Sequence, residues 1–187
     1  MVVVTPAEPG HAEALAALLE EMGQFYGAAG TEPLEPPEPL GPPEPPKPPE
    51  PPEPPEPPEP LEQLEQRVRQ VRQVLFGDVR GISALLAWDD TQLAGLAAYS
   101  FLWPAIGLTR SLYLKELYVG QAHRGKGVGK LLMDSLREVA ARHGCSRLEW
   151  TTDDDNAAAQ RFYAGLGVPV RTSKLFYRVE LGQRDSG

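Results

Sequence analysis

The chain has 187 residues, enough to bury one core, and that length favours one domain over two. Its formal charge of −8 is local, because residues 31–60 hold eight Glu and one Lys and leave the remainder close to neutral. A neutral core without a basic stripe excludes nucleic acid as the expected partner. No run of about 18 apolar residues is present, which argues against a membrane span, and the opening MVVVTPAEPG lacks a basic segment followed by an apolar one. The cytoplasm is therefore the expected compartment.

Met1–Val4 predict a first strand. Thr5, Pro6 and Glu8 then supply a capping residue, a proline at the first helical position and an acid three residues on. Leu15, Leu18, Leu19, Met22, Phe25 and Tyr26 continue at helical spacing, so an amphipathic helix is expected to about Gly27. From Glu32 to Glu59 every third residue is Glu, Gly41 or Lys47, and the two between are almost always Pro-Pro. Seventeen of the 21 prolines lie in residues 31–60. Proline has a fixed φ and no amide hydrogen, so polyproline II is the expected form. Such a segment reads as a stiff solvated spacer or as a docking site for a polyproline-recognising partner.

Leu61, Leu64, Val68, Val71 and Leu75 predict a second helix, ending near Gly77. Strand-like runs follow at Ser83–Trp88, Gln92–Leu102 and Ser111–Val119. Gly127–His143 predicts a helix with Val128, Leu131, Leu132, Leu136, Val139 and Ala140 on one side, stopped by Gly144. Arg147–Thr152 reads as a strand, Asn156–Ala164 as a helix and Ser173–Leu181 as a last strand. The order βα(insert)αβββαβαβ predicts an α/β (α+β) mixed sheet with helices on its faces. The lone Cys145 reads as an apolar residue. His11, His123 and His143 are too scattered for a metal cluster and read as solvated, so no metal is expected.

The chemistry concentrates where Leu117-Tyr118-Val119 runs into Arg124-Gly125-Lys126-Gly127-Val128-Gly129-Lys130 and then a helix. Closely spaced glycines at a helix start present open backbone amides and the positive end of the helix dipole, a site suited to a diphosphate. A Walker A loop fails, because Lys130 is followed by Leu131 rather than Ser or Thr. The dinucleotide fingerprint fails too, since the spacing is G-x-G-x-G and no acid stands in the ribose position. What remains is R-x-x-G-x-G, Arg124 to Gly129. It resembles the acyl-CoA loop of the GNAT superfamily. Asn156-Ala157-Ala158-Ala159-Gln160-Arg161-Phe162-Tyr163, with Gly167 beyond, resembles the N-x-x-A-x-x-F-Y segment that follows the fifth strand in the same superfamily.

The resemblance covers about residues 1–30 and 61–181. It implies an acyl-CoA N-acyltransferase fold: a central, mostly antiparallel sheet whose parallel fourth and fifth strands splay apart, in one domain interrupted by the insert at 31–60. Residues 113–119, 149–152 and 174–178 look most like the branch that contains the yeast histone, polyamine and D-amino-acid acetyltransferases. The implied activity is transfer of an acetyl group from acetyl-CoA to a primary amine by direct attack.

In that scheme Glu116 removes the amine proton or orients the substrate. Tyr163 protonates the departing sulfur or packs as an aromatic that positions the cofactor. A backbone amide near Leu117 or Tyr118, with Val119 beside them, holds the thioester oxygen. The amides of Gly125 to Gly129 rank above the side chains of Lys126 and Lys130 as diphosphate ligands. Asn156 and Ala159 belong to the pantetheine segment, and Asn156 is also placed to cap its helix. Glu149, Asp153, Tyr99 and Trp103, with Tyr118, are candidates to line an acidic, aromatic acceptor pocket suited to a cationic amine. Asp153 to Asp155 equally read as a solvated capping loop. A homodimer through the last strands is implied by analogy. The contrasting reading is a non-catalytic CoA-binding scaffold that recruits partners through its polyproline arm.

Overall fold

A computed structural model describes residues 1–29, 61–77, 81–171 and Tyr177. The predicted polyproline segment, and the predicted last strand apart from Tyr177, lie outside the described residues. The contacts group the chain into two compact units, residues 1–150 and 151–187.

The first unit is built on a five-stranded sheet in the order β1-β2-β3-β4-β5: Val2–Pro6, Ser83–Asp89, Gln92–Leu102, Arg110–Val119 and Cys145–Glu149. The first three pairings are antiparallel and β4–β5 is parallel. β2 and β3 carry unbroken buried runs, Ala84–Ala87 and Ala94–Ala97, instead of an alternating pattern. Both faces of the sheet are covered, so both sets of side chains must be apolar.

On one face lie α1 (Ala12–Ala29) and α2 (Leu61–Phe76). Ala12, Leu15, Ala16 and Leu18 of α1 pack with Val71 of α2 on Leu86, Leu96 and Tyr118. Each such leucine, fully buried, contributes roughly 1.5–3 kcal/mol. An Arg67–Glu20 ion pair adds a polar tie between the two helices. The other face is covered by α3 (Val128–Arg142), through Val128, Leu132, Met133, Leu136 and Val139, whereas Leu131, expected on the same side, is exposed. Gly95 lets α3 come close. A Cβ there would stand 2.8 Å from the Tyr118 carbonyl oxygen and 3.3 Å from side-chain carbons of Leu132 and Val128.

The predicted start of α1 is corrected. Pro6 is the last residue of β1, opposite Leu85, and α1 begins at Ala12 after a 3-10 turn at Pro9–His11. Pro9 supplies the fixed φ for that turn, and the Glu8 amide donates to His11 Nδ1 (3.1 Å). β5 runs from Cys145 to Glu149 instead of 147–152, because pairing with β4 begins at Arg110–Cys145. All three histidines read as solvated have partners: His11 accepts from the Glu8 amide and meets Trp88 at 5.0 Å between centroids, His123 is buried 3.8 Å from Asp89, and His143, though exposed, packs on Phe101 at 4.7 Å between centroids. Cys145 is half-buried, and burial pushes its thiol pKa up.

The second unit contains α4 (Ala157–Gly165). Its N-cap is Asn156, whose Oδ1 accepts the Ala159 amide at 3.0 Å.

Candidate acyl-transfer site

The two halves of β4 have different neighbours. Ser111–Tyr113 pair with β3 on one side, and Arg110–Tyr113 pair with Cys145–Glu149 of β5 on the other. Beyond Tyr113 the pairing with β5 stops, and among the described residues Leu114–Val119 have a strand partner on the β3 side only. A register shift between Ala98 and Tyr99 makes Lys115 an extra residue on β4, a bulge that turns the following side chains. The open edge leaves backbone donors and acceptors of this half available to a ligand.

Glu116 stands opposite Ala98 on this open half, toward the α1–α2 face. The Tyr26 hydroxyl, from the last turns of α1, donates to its Oε1 at 3.0 Å. Leu117 and Val119 are half-buried neighbours along the open edge. Tyr118 points into the α1 side of the core at 3% exposure, and its hydroxyl donates to Glu21 at 3.1 Å. Burial first, and Glu21 second, push its pKa up. Its ring is therefore unavailable to line an acceptor pocket, and only its backbone faces the open edge.

β4 passes through Gly120 and a 3-10 turn (Gln121–His123) to Arg124. Arg124 donates from Nε to the Val119 carbonyl (3.0 Å) and lays its guanidinium over Phe25, 4.3 Å from the ring centre. It serves the loop as a strut. Gly125 and Gly127 have φ of +73° and +82°, values costly for residues with a Cβ, and among the described residues no atom beyond the adjoining chain lies within 4 Å of where either Cβ would sit. Gly127 is the N-cap of α3, so the amides that follow, Val128, Gly129 and Lys130, lack intrahelical acceptors. Open space, bare backbone and the helix dipole together fit a diphosphate. Lys126 is exposed beside this turn. Lys130 is bound instead to Asp134 at 2.6 Å, and Arg137 joins the same carboxylate at 2.7 Å. These hydrogen bonds, that from Lys130 foremost, hold the Asp134 carboxyl below its ordinary range.

The structure does not bring all the proposed acceptor residues to Glu116. Tyr99 is corrected: it lies on the opposite, α3, face of the sheet, in a cleft with Ser135, Val139 and Arg142. The alternation of β3 explains this, because Ala98 and Tyr99 point to opposite faces. Trp103 follows the far end of β3, roughly 16 Å along the strand from Ala98, and donates from Nε1 to the Leu108 carbonyl. Glu149 ends β5 opposite Tyr113, where the strands part. Its Oε2 is 2.7 Å from Arg147 Nε, a charge contact rather than an aligned hydrogen bond.

Within the second unit, Tyr163 is half-buried on α4 and meets Phe162 edge-on at 5.1 Å. The Asp153 carbonyl accepts the Asn156 amide at 3.2 Å, and Gln160 Nε2 donates to the Asp154 carbonyl at 2.6 Å. The acidic run thus forms a turn in front of α4 with its side chains in solvent.

Glu21 and Tyr26 went unrecognised in the sequence. Glu21 had a signal, since it falls three residues after Leu18 and four before Phe25 on the apolar stripe, where an acid needs a polar partner. Tyr26 read as one more core residue of that stripe.

Solved structures share this fold. An integron cassette protein from the mobile metagenome of V. cholerae superposes with a TM-score of 0.73 at 23% identity, covering 96% of this chain and 92% of that one. An aminoglycoside N-acetyltransferase, AAC(6')-Iy, in complex with CoA gives 0.64 at 16% identity, covering 97% and 96%. The fold is that of an acetyltransferase. Residues 45–168 match the Acetyltransferase (GNAT) family, and the chain belongs to it. Similar curated proteins include the L-ornithine N5-acetyltransferase NATA1 of Arabidopsis thaliana, 29% identical over 82 residues (44% of this chain, 36% of that protein). Another is the thialysine N-epsilon-acetyltransferase of Bos taurus, 38% identical over 59 residues (32% and 35%). The D-amino-acid N-acetyltransferase of Saccharomyces cerevisiae is 34% identical over 67 residues (36% and 40%). The chain spans about a third to a half of the length of such relatives.

Proposed function

We propose that this chain is an N-acetyltransferase that moves an acetyl group from acetyl-CoA to a primary amine. The acceptor class is a small cationic amine, an amino acid or a lysine side chain. One catalytic domain, interrupted by the insert at 31–60, carries the activity. The observation that supports this most is Glu116, held by Tyr26 on the open half of β4 just ahead of the bare amides at Gly125 to Lys130.

Bound acetyl-CoA supplies an activated thioester carbonyl. The amides between Gly125 and Lys130 hold its diphosphate, and the exposed backbone at Leu117–Val119 binds the extended arm and polarises the carbonyl oxygen. Glu116, directly or through one water, takes the proton that the amine loses as its nitrogen forms the new C–N bond. As the C–S bond breaks, the Tyr163 hydroxyl returns a proton to the sulfur. Names of relatives that act on ornithine, thialysine and D-amino acids support a cationic or amino-acid amine.

The test is a panel of such amines with acetyl-CoA, following thiol release and product mass together. Transfer to at least one amine, reduced by about 10²-fold or more in Tyr163→Phe or Glu116→Gln, is expected. CoA binding with no transfer to any amine refutes the proposal.

A further inference from the structure

We propose that Glu21 is a positioning residue for the cofactor loop. From α1 it fixes the path of the chain between β4 and the glycine turns, and so the direction in which those amides point. The inference rests on reading residues 124–130 as the CoA diphosphate site.

One oxygen of Glu21, Oε1, accepts two hydrogen bonds: from the Gln121 amide at 2.7 Å and from the Tyr118 hydroxyl at 3.1 Å. These donors bracket the point where β4 ends. One turn further along α1, Phe25 lies beneath the Arg124 guanidinium, which also reaches the Tyr118 ring at 5.5 Å. α1 therefore holds the segment at Tyr118, Gln121 and Arg124. Beyond Arg124 the two left-handed glycines have, among the described residues, no neighbours outside the adjoining chain within Cβ reach. The loop's orientation is inherited from its anchors: among the described residues Glu21 is the carboxylate that holds its β4 side, while Asp134, bound to Lys130, belongs to α3 on the other side.

The sign of the effect separates positioning from plain electrostatics. A negative charge beside an anion site weakens anion binding, so if Glu21 acted only as a nearby charge its removal would tighten CoA binding. If it positions the loop, its removal loosens CoA binding, because a charge-assisted double acceptor is lost.

The experiment measures CoA affinity by calorimetry in the full-length wild type, Glu21→Ala, Glu21→Gln and Glu20→Gln. Glu21→Ala is expected to weaken CoA about tenfold, and Glu21→Gln, which keeps an acceptor oxygen, about threefold. Glu20→Gln loosens α1 from α2 without touching the loop, and its affinity stays at the wild-type value. In turnover, Glu21→Ala raises KM for acetyl-CoA in step with the loss of affinity and changes kcat less than about threefold. Should Glu21→Ala not fold, Tyr118→Phe removes one donor and weakens CoA by about threefold. Unchanged or tighter CoA binding in the Glu21 variants overturns the inference, as does an equal loss in Glu20→Gln. A wild type that binds no CoA overturns the cofactor reading and the inference with it.

Discussion

β4 is one strand with two characters. Its first half is closed, with neighbours on both edges and Leu112 fully buried. Its second half is open on one edge, bulged at Lys115, and carries Glu116 toward a tyrosine from α1. The closed half spends its backbone hydrogen bonds on the sheet. The open half holds them in reserve for a ligand, and after the hydrogen-bonded turn at Gly120–Arg124 the chain reaches the amides of Val128, Gly129 and Lys130, which lack intrahelical acceptors. Departure of β5 after Tyr113 is what separates a structural strand from a binding one.

The largest expected effect tests the open half. Glu116→Gln should lower kcat by about 10²–10⁴-fold while CoA affinity stays the same. A loss below about tenfold would assign the proton transfer elsewhere. On the closed half, Leu112→Ala should cost roughly 2–5 kcal/mol in denaturant unfolding, with activity per folded molecule unchanged. If that substitution cost nothing in stability, the closed half would not be the core strand described here.

A smaller effect is expected at the turn that follows the open half. Gly127→Ala places a Cβ at φ +82°, a strain of about 1–2 kcal/mol, and should weaken CoA about tenfold through displaced amides. Wild-type CoA affinity in that variant would argue against the loop as the diphosphate site. Smallest is Asp134→Asn on α3, which removes exposed pairs worth about 0.2–0.5 kcal/mol each. Its folded carboxyl is held low, so the stability it adds is present above the ordinary carboxylate range. That contribution is lost as pH falls through the lowered value. The gap between wild type and variant should therefore close in acid; a gap that widens there would contradict the assignment.

Much of the fold was legible because its signals are local. The apolar stripe of α3, the glycine stop at Gly144 and the strand–glycine–helix junction each follow from neighbouring residues. Asn156 was legible as a cap for the same reason. The acceptor side was not, because it depends on which face a strand residue takes and on what approaches from a distant helix. Tyr99 and Ala98 are adjacent in sequence and lie on opposite faces. Tyr118 has the polarity of a pocket residue, yet its ring is consumed by Glu21 and Arg124. Gly95 in mid-strand carried no sign of the helix it admits.

The most direct measurement is the pattern of backbone amide shifts when CoA is added to uniformly ¹⁵N-labelled protein. The largest shifts are expected at Leu117–Val119 and Arg124–Lys130, with Arg110–Tyr113 little changed. Saturable binding whose largest shifts fall on the closed half of β4 or on the α3-face cleft around Tyr99 would contradict that expectation.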